Sequence, residues 1–241
     1  DPAPGSRFGS DFEAAIALID ELRNEKPDIY INLTTGTWAS PFWFGIADSV
    51  WRGNWDHDFC GVGTARQQWI TFRDAMIYAH NVKISPLFPI NSLMTHGVIY
   101  NKGARGLMTT EADDLADEIW SGLGLGTQMQ EIYITPSMLK EHEWDTLAAA
   151  AKWTRANAAT LVDSHWVGGD PAALEAYGFA SWSPEKGILV LRNPSDTEQE
   201  FSFDPAAVFE LPLGAPLHYS LSSPKRDTLP GRRWQAHHTP A

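Results

Sequence analysis

The sequence predicts an α/β protein: the C-terminal half of a (β/α)8 (TIM) barrel over residues 1–168, then a small antiparallel β-sandwich with a loose tail over residues 169–241. Three observations predict it. Helical and β-rich segments alternate from residue 11 to about residue 161, the pattern of a parallel sheet with helices packed outside it. That stretch holds about four strand–helix units, whereas a closed barrel takes roughly 250 residues for eight. After Gly169 the helices give way to short β segments, separated by turn signals such as Pro184-Glu185-Lys186-Gly187 and Asn193-Pro194-Ser195-Asp196.

The elements follow in order. Phe12, Ile16, Ile19 and Leu22 fall on one face at helical spacing, so residues 11–24 predict an amphipathic helix. Residues 28–33 form a β-rich run between Pro27 and Thr34-Thr35-Gly36-Thr37. A short helix or turn is expected over 38–44, a strand over 48–51 and a polar loop over 54–63. A helix over 66–80 precedes an extended stretch, 84–90, broken by Pro86 and Pro89, and a loop over 91–96. Thr110 and Asp113 fit the opening of an acidic helix over 110–120. A glycine loop over 122–126, a strand over 129–134, a turn at Ser137 and an Ala-rich helix over 144–161 complete the first unit. The β segments of the second lie at 177–182, 187–192, 200–203, 208–211 and 217–221. The Pro-, Arg- and His-containing tail from residue 224 is expected to be loose.

Composition narrows the function classes. The net charge is -12 and no stretch clusters Lys or Arg, which argues against nucleic acid, an anionic membrane or an acidic polymer as partner. No apolar run is long enough to span a membrane. Cys60 is the single cysteine, so no internal disulfide can form. The first residues carry no signal-peptide pattern and the chain opens without Met, so it reads as a piece of something longer. Eleven Trp in 241 residues is high. Trp fills cores or stacks on ligands, and the apolar C–H faces of sugars favour flat aromatics beside carboxylates and amides.

Catalytic side chains of such barrels stand at the C-terminal ends of the strands. The second strand ends in Trp51-Arg52-Gly53-Asn54-Trp55-Asp56-His57-Asp58, which places two Trp, an Arg and two Asp within eight residues. Glycoside hydrolysis needs one carboxylic acid to protonate the leaving oxygen and a second carboxylate opposite it. A Trp beside an Asp lowers the local polarity and raises the acid's pKa, which suits a general acid. Asp56 is the first candidate, with Asp58 and Asp48 as rivals. Other chemistry has weak signals. His57, His96 and His165 are too scattered for a metal motif, so neither a metal nor a cofactor is expected. The glycines at 122, 124 and 126 precede a strand instead of following one, which does not fit a dinucleotide loop. The Asn32-Leu33-Thr34 sequon overlaps the expected site edge and is read as coincidence.

Several segments together resemble the melibiase-type α-galactosidases, glycoside hydrolase families thirty-six and twenty-seven (clan D). They are Thr35-Gly36-Thr37-Trp38, then Val50-Trp51-Arg52 through Asp56-His57-Asp58, then Pro86 and Pro89 followed by Met94-Thr95-His96-Gly97, and then residues 123–131 with Thr135-Pro136-Ser137. Residues 187–194 are similar to the clan's β-domain, and the resemblance covers about residues 11–222. In those families the acidic pair is contiguous, whereas here His57 separates Asp56 from Asp58. The resemblance implies a retaining hydrolase of terminal α-linked sugars. Its nucleophile would stand in a Lys-x-Asp context on an earlier strand, so these residues alone are not expected to turn over. It also implies that Trp38, Trp51, Arg52 and His96 line the sugar subsite, Trp by stacking and Arg52 and His96 by hydrogen bonds to hydroxyls. The partner is then an oligosaccharide or glycoside. A non-catalytic carbohydrate-binding protein built on the same barrel is the alternative.

Overall fold

The computed structural model describes residues 6–34, 40–84, 88–111, 113–215, 220 and 222–225. It is a mixed α/β structure with short parallel strands and one three-stranded antiparallel sheet. Helix α1 (Asp11–Glu25) opens on Ser10, whose side chain accepts from the Glu13 amide. Glu13 in turn accepts from the Gly9 amide at 2.7 Å, so a reciprocal pair of hydrogen bonds fixes the helix start. Of the predicted apolar face only Ile19 is buried, against Ile31 and Ala47.

The parallel strands are shorter than the sequence implies. Strand β1 (Asn32–Leu33) pairs with β2 (Ser49–Trp51), and β2 pairs with β3 (Leu93–Met94). A second parallel pair joins β4 (Val98–Tyr100) to β5 (Ile132–Ile134). Only residues 95–97 separate β3 from β4, so one extended stretch serves both sheets and jogs between them. Gly97 is required at the jog: a Cβ there would lie 1.8 Å from the Glu131 carbonyl oxygen. The Val98 amide donates to that same oxygen at 3.1 Å.

Three predicted elements differ. The stretch expected as loop, 91–96, contains β3, and β4 was not anticipated, because strands of two or three residues show no alternation to read. The acidic helix α3 (Asp114–Gly124) begins four residues later than expected, after Asp113 and without a side-chain cap. Gly122 and Gly124 lie inside it instead of in a loop. At Gly124 a Cβ would sit 2.8 Å from the Val190 side chain, so this glycine admits a neighbouring strand. Helix α2 (Ala65–Ile77), continued by a π-turn at Tyr78–Val82, and helices α4 (Glu141–Ala156) and α5 (Ala158–Leu161) fall where expected.

The antiparallel sheet is β6 (His165–Gly168), β7 (Tyr177–Ser183) and β8 (Lys186–Arg192), in sequence order. The residues expected as further strands form coil at 200–203 and, around 208, the end of the short helix α6 (Pro205–Val208). Most of 217–221 and of the tail lies outside the described residues. Tyr177 and Phe179 of β7 join Val50, Ile77, Ile90, Leu93 and Leu125 in one apolar cluster, so the antiparallel sheet shares a core with the parallel one.

Buried charges hold this packing together. Arg66 on α2 pairs with Glu118 on α3, the side chains 1% and 0% exposed. Glu118 also accepts from the Trp69 indole at 3.0 Å and the Ile99 amide at 2.8 Å. Arg66 donates to the carbonyls of Ile99, Leu107 and Thr109. Burial pushes the Glu118 carboxyl up, and Arg66 with the Ile99 amide pulls it back. Two turns along α2, Arg73 pairs with Asp74, and Asp74 accepts from the Tyr177 hydroxyl at 2.6 Å. Arg192 on β8 donates to Thr71, to Tyr177 and to the Gln67 carbonyl. Removing one member of a buried pair strands the other, at a cost of about 3–5 kcal/mol. Glu118→Ala is therefore expected to lower urea-unfolding stability by about that amount. The double substitution Arg66→Met with Glu118→Leu is expected to unfold at higher urea than the single one, because no lone charge is left inside.

Candidate functional site

A cluster of rings and carboxylates forms where β2 and β3 end and β4 and β5 begin. Strand β2 delivers Trp51 at its last position, and the jog after β3 delivers His96. Their rings lie 5.0 Å apart at 52°. Tyr133 on β5 meets the His96 ring edge-on at 5.7 Å. Trp69, sealed from solvent on α2, stands behind both histidines, 5.0 Å from His57 and 6.3 Å from His96. Phe59 meets His57 at 5.0 Å.

The polar part of the cluster is set by Glu131. Its carboxylate lies 3.1 Å from His96 Nδ1, with the two side chains 8% and 18% exposed. Tyr133, two residues further on, shares the same face of the strand. Burial raises the Tyr133 phenol to about 12, helped by a hydrogen bond to Glu131 and by the charges of Glu131 and Asp56. Tyr133 thus stays protonated as a donor, and Asp56 is close enough to act on it.

The residues singled out from sequence are distributed as follows. Trp51 and His96 come together at the cluster, although Trp51 is buried, with the Arg52 guanidinium 4.4 Å over its ring. Asp56 is exposed beside the cluster, and among the described residues no hydrogen bond reaches its carboxylate. Asp58 is also exposed, and its carboxylate accepts from the neighbouring Phe59 amide, a turn contact. Asp48 stands at the opposite end of β2. It accepts from the Ile31 amide at 2.7 Å and faces Arg23 at 3.7 Å, so it ties α1 and β1 to β2, away from the rings. Trp38 lies outside the described residues, as do Thr35, Gly36, Thr37 and Pro86.

Arg52 differs most from its expected role. It has no exposed surface. Its guanidinium donates to the carbonyls of Gly53 at 2.8 Å, Trp55 at 2.9 Å and Asp56 at 3.4 Å. Burial, with Arg73 adding to it and Asp56 and Asp74 opposing, brings its pKa down to about 10. Arg52 therefore folds the loop that carries Asp56 and has no donor facing outward to a sugar. That loop turns through two successive left-handed residues, Gly53 (φ 89°) and Asn54 (φ 66°). The Asn54 amide is held 2.7 Å from His80 Nε2 on the π-turn, and Asn81 in the same turn donates to the Arg52 carbonyl. Trp55, at 72% exposure, is the open aromatic of the loop.

Sequence reasoning missed Glu131, Tyr133, His57 and Trp69 as one group. The available signal was the carboxylate and the phenol at i and i+2 of a predicted strand, facing the same side. Among the described residues no group of three or more His, Cys, Asp or Glu could hold a metal ion, and no helix is long and apolar enough to cross a membrane. Cys60 is half-buried, and burial pushes its thiol up, away from nucleophilic use. Comparison with protein-family models, with curated proteins and with solved structures finds no match.

Burial lowers His57 from its ordinary 6.5, with the charge of His96 adding to it, and burial with the charge of Arg52 lowers His80. Both rings are kept neutral by the fold, so the unfolded chain binds their protons more readily. Their contribution to stability is complete above 6.5 and drains away as pH falls through the unfolded value towards the folded one. In His80→Gln the amide oxygen can still accept from Asn54 but does not titrate. The fall in melting temperature from about pH 7.5 to about pH 5.5 is expected to be smaller in this variant than in the wild type, measured by calorimetry.

Proposed function

We propose that this chain is the acid/base-bearing part of a retaining glycoside hydrolase of the α-galactosidase type, acting on terminal α-linked sugars. On this reading the parallel strands β1 to β5 belong to a (β/α)8 barrel, and the antiparallel sheet β6–β7–β8 belongs to its C-terminal β-domain. The observation that carries the proposal is the position of Asp56. An exposed carboxylate stands on the loop that follows parallel strand β2, beside the ring cluster of Trp51, His96 and Tyr133. Aromatic faces with a few directed polar groups suit a pyranose, whose C–H faces are apolar and whose rim is hydroxylic.

Asp56 would protonate the departing glycosidic oxygen and then deprotonate the incoming water. The nucleophile, roughly 5–5.5 Å from it, would come from a strand outside the described residues. His96 and Trp55 would meet the sugar, one by a hydrogen bond and the other by its open ring. Arg52 would act through the loop it holds.

A second reading, a carbohydrate-binding protein without turnover, is favoured by one observation. Glu131, the other carboxylate at the cluster, is engaged by His96 and so does not offer a second catalytic group. The two readings separate on Asp56. In the full-length protein, Asp56→Asn is expected to lower kcat/KM on a nitrophenyl α-galactoside by about 10²–10⁴-fold, the usual contribution of a general acid. Asp58→Asn and Asp48→Asn are expected to have much smaller effects. Residues 1–241 alone are expected to show no turnover; hydrolysis by them that disappears with Asp56→Asn would place both carboxylates inside the chain. Sugar binding without hydrolysis by the full-length protein would favour the second reading.

A further inference from the structure

We propose that Glu131 is a positioning residue that fixes the tautomer of His96, so that its ring meets the ligand as a hydrogen-bond acceptor at Nε2. The ligand group it selects is then an O–H donor, such as a sugar hydroxyl. This last step rests on the carbohydrate reading above; the tautomer does not.

The argument is geometric. A carboxylate has no proton to give, so the contact of 3.1 Å between Glu131 and His96 Nδ1 requires the hydrogen to sit on Nδ1. In the neutral ring the lone pair is then on Nε2. Among the described residues nothing is hydrogen-bonded to Nε2. The plane of the ring is not free to turn, because Trp51 and Tyr133 contact it and Trp69 stands behind it. Nor is Glu131 free to withdraw. The Glu131 carbonyl is bonded to the Val98 amide, against a glycine that leaves no room for any shift towards His96's own strand. The register Val98↔Ile132 begins immediately beyond the pair, so the sheet itself sets the distance between the two side chains. A carboxylate that orients a histidine from behind is a recurrent way to choose which ring nitrogen faces a ligand.

The test is a long-range 1H–15N spectrum of the imidazoles in the intact, 15N-labelled chain, above the pH at which the rings are charged. The His96 signals are assigned by their loss in His96→Gln. The expected result is a pyrrole-like Nδ1 and a pyridine-like Nε2 for His96. In Glu131→Gln the side chain can donate as well as accept, and the Nε2 signal is expected to move towards the pyrrole-like range. Tyr133→Phe, which leaves the carboxylate in place, is expected to keep the wild-type pattern. A wild-type His96 protonated at Nε2, or a tautomer unchanged by Glu131→Gln, would overturn the proposal. Adding methyl α-galactopyranoside is expected to shift Nε2 alone among the His96 nitrogens. If the tautomer is as stated but no monosaccharide shifts Nε2, the positioning role stands and the carbohydrate reading falls.

Discussion

The structure depends on the ion pair between Arg66 and Glu118. It lies between two helices with almost no exposure, and both groups are further held by the backbone of β4 and its following loop and by Trp69. A buried pair is weak evidence for stability on its own, but it is directional in a way an apolar contact is not. Here the direction is passed on. The indole of Trp69 is turned to reach Glu118, and the face it then presents is the back wall for His57 and His96. The rings of the candidate site are thus oriented from the core outward.

The second set of buried charges does for the antiparallel sheet what the first does for the strands. Tyr177 is held as a phenol, far above its usual range, by burial against Asp74, with Arg192 opposing. Its ring stacks on Trp166 at 5.0 Å and 3°, which ties β6 and β7 to the same point on α2. One helix therefore carries both junctions: α2 meets α3 and β4 through Arg66, and the β-sheet through Thr71, Asp74 and Gln67. This explains why a helix of ordinary length buries nine of its 13 residues, including three charged ones.

Much of the helical architecture was legible in the sequence. The spacing of Phe12, Ile16, Ile19 and Leu22, the helix expected over 66–80 and the Ala-rich stretch of α4 are local signals, and local signals survive in the fold. The alternation Tyr177–Ser183 and Lys186–Arg192 around a turn is equally local, and those two strands form where expected. What was not legible depends on pairing at a distance. Leu93-Met94 has no pattern of its own and becomes a strand only because Val50 and Trp51 lie beside it. Arg52, placed between a Trp and a Gly-Asn turn, has the look of a surface cation; nothing local shows that its loop curls back over it. Asp48 rivals Asp56 as a sequence candidate, and only the direction of β2 puts Asp56 towards the ring cluster and Asp48 at the other end of the strand. Glu131 is 35 residues from His96 in the chain, and their meeting is a property of the β4–β5 register.

The jog at residues 95–97 has a consequence for how this protein can change over time. Most loops around a binding site absorb gained or lost residues, since nothing beyond them is in register with the site. Here the three residues connect two parallel pairings of fixed phase. One residue more or fewer would turn His96 to the other side of the sheet and carry every contact of β4 with it. Point substitutions can explore this corner of the molecule, but length changes cannot, so its spacing should outlast its side chains.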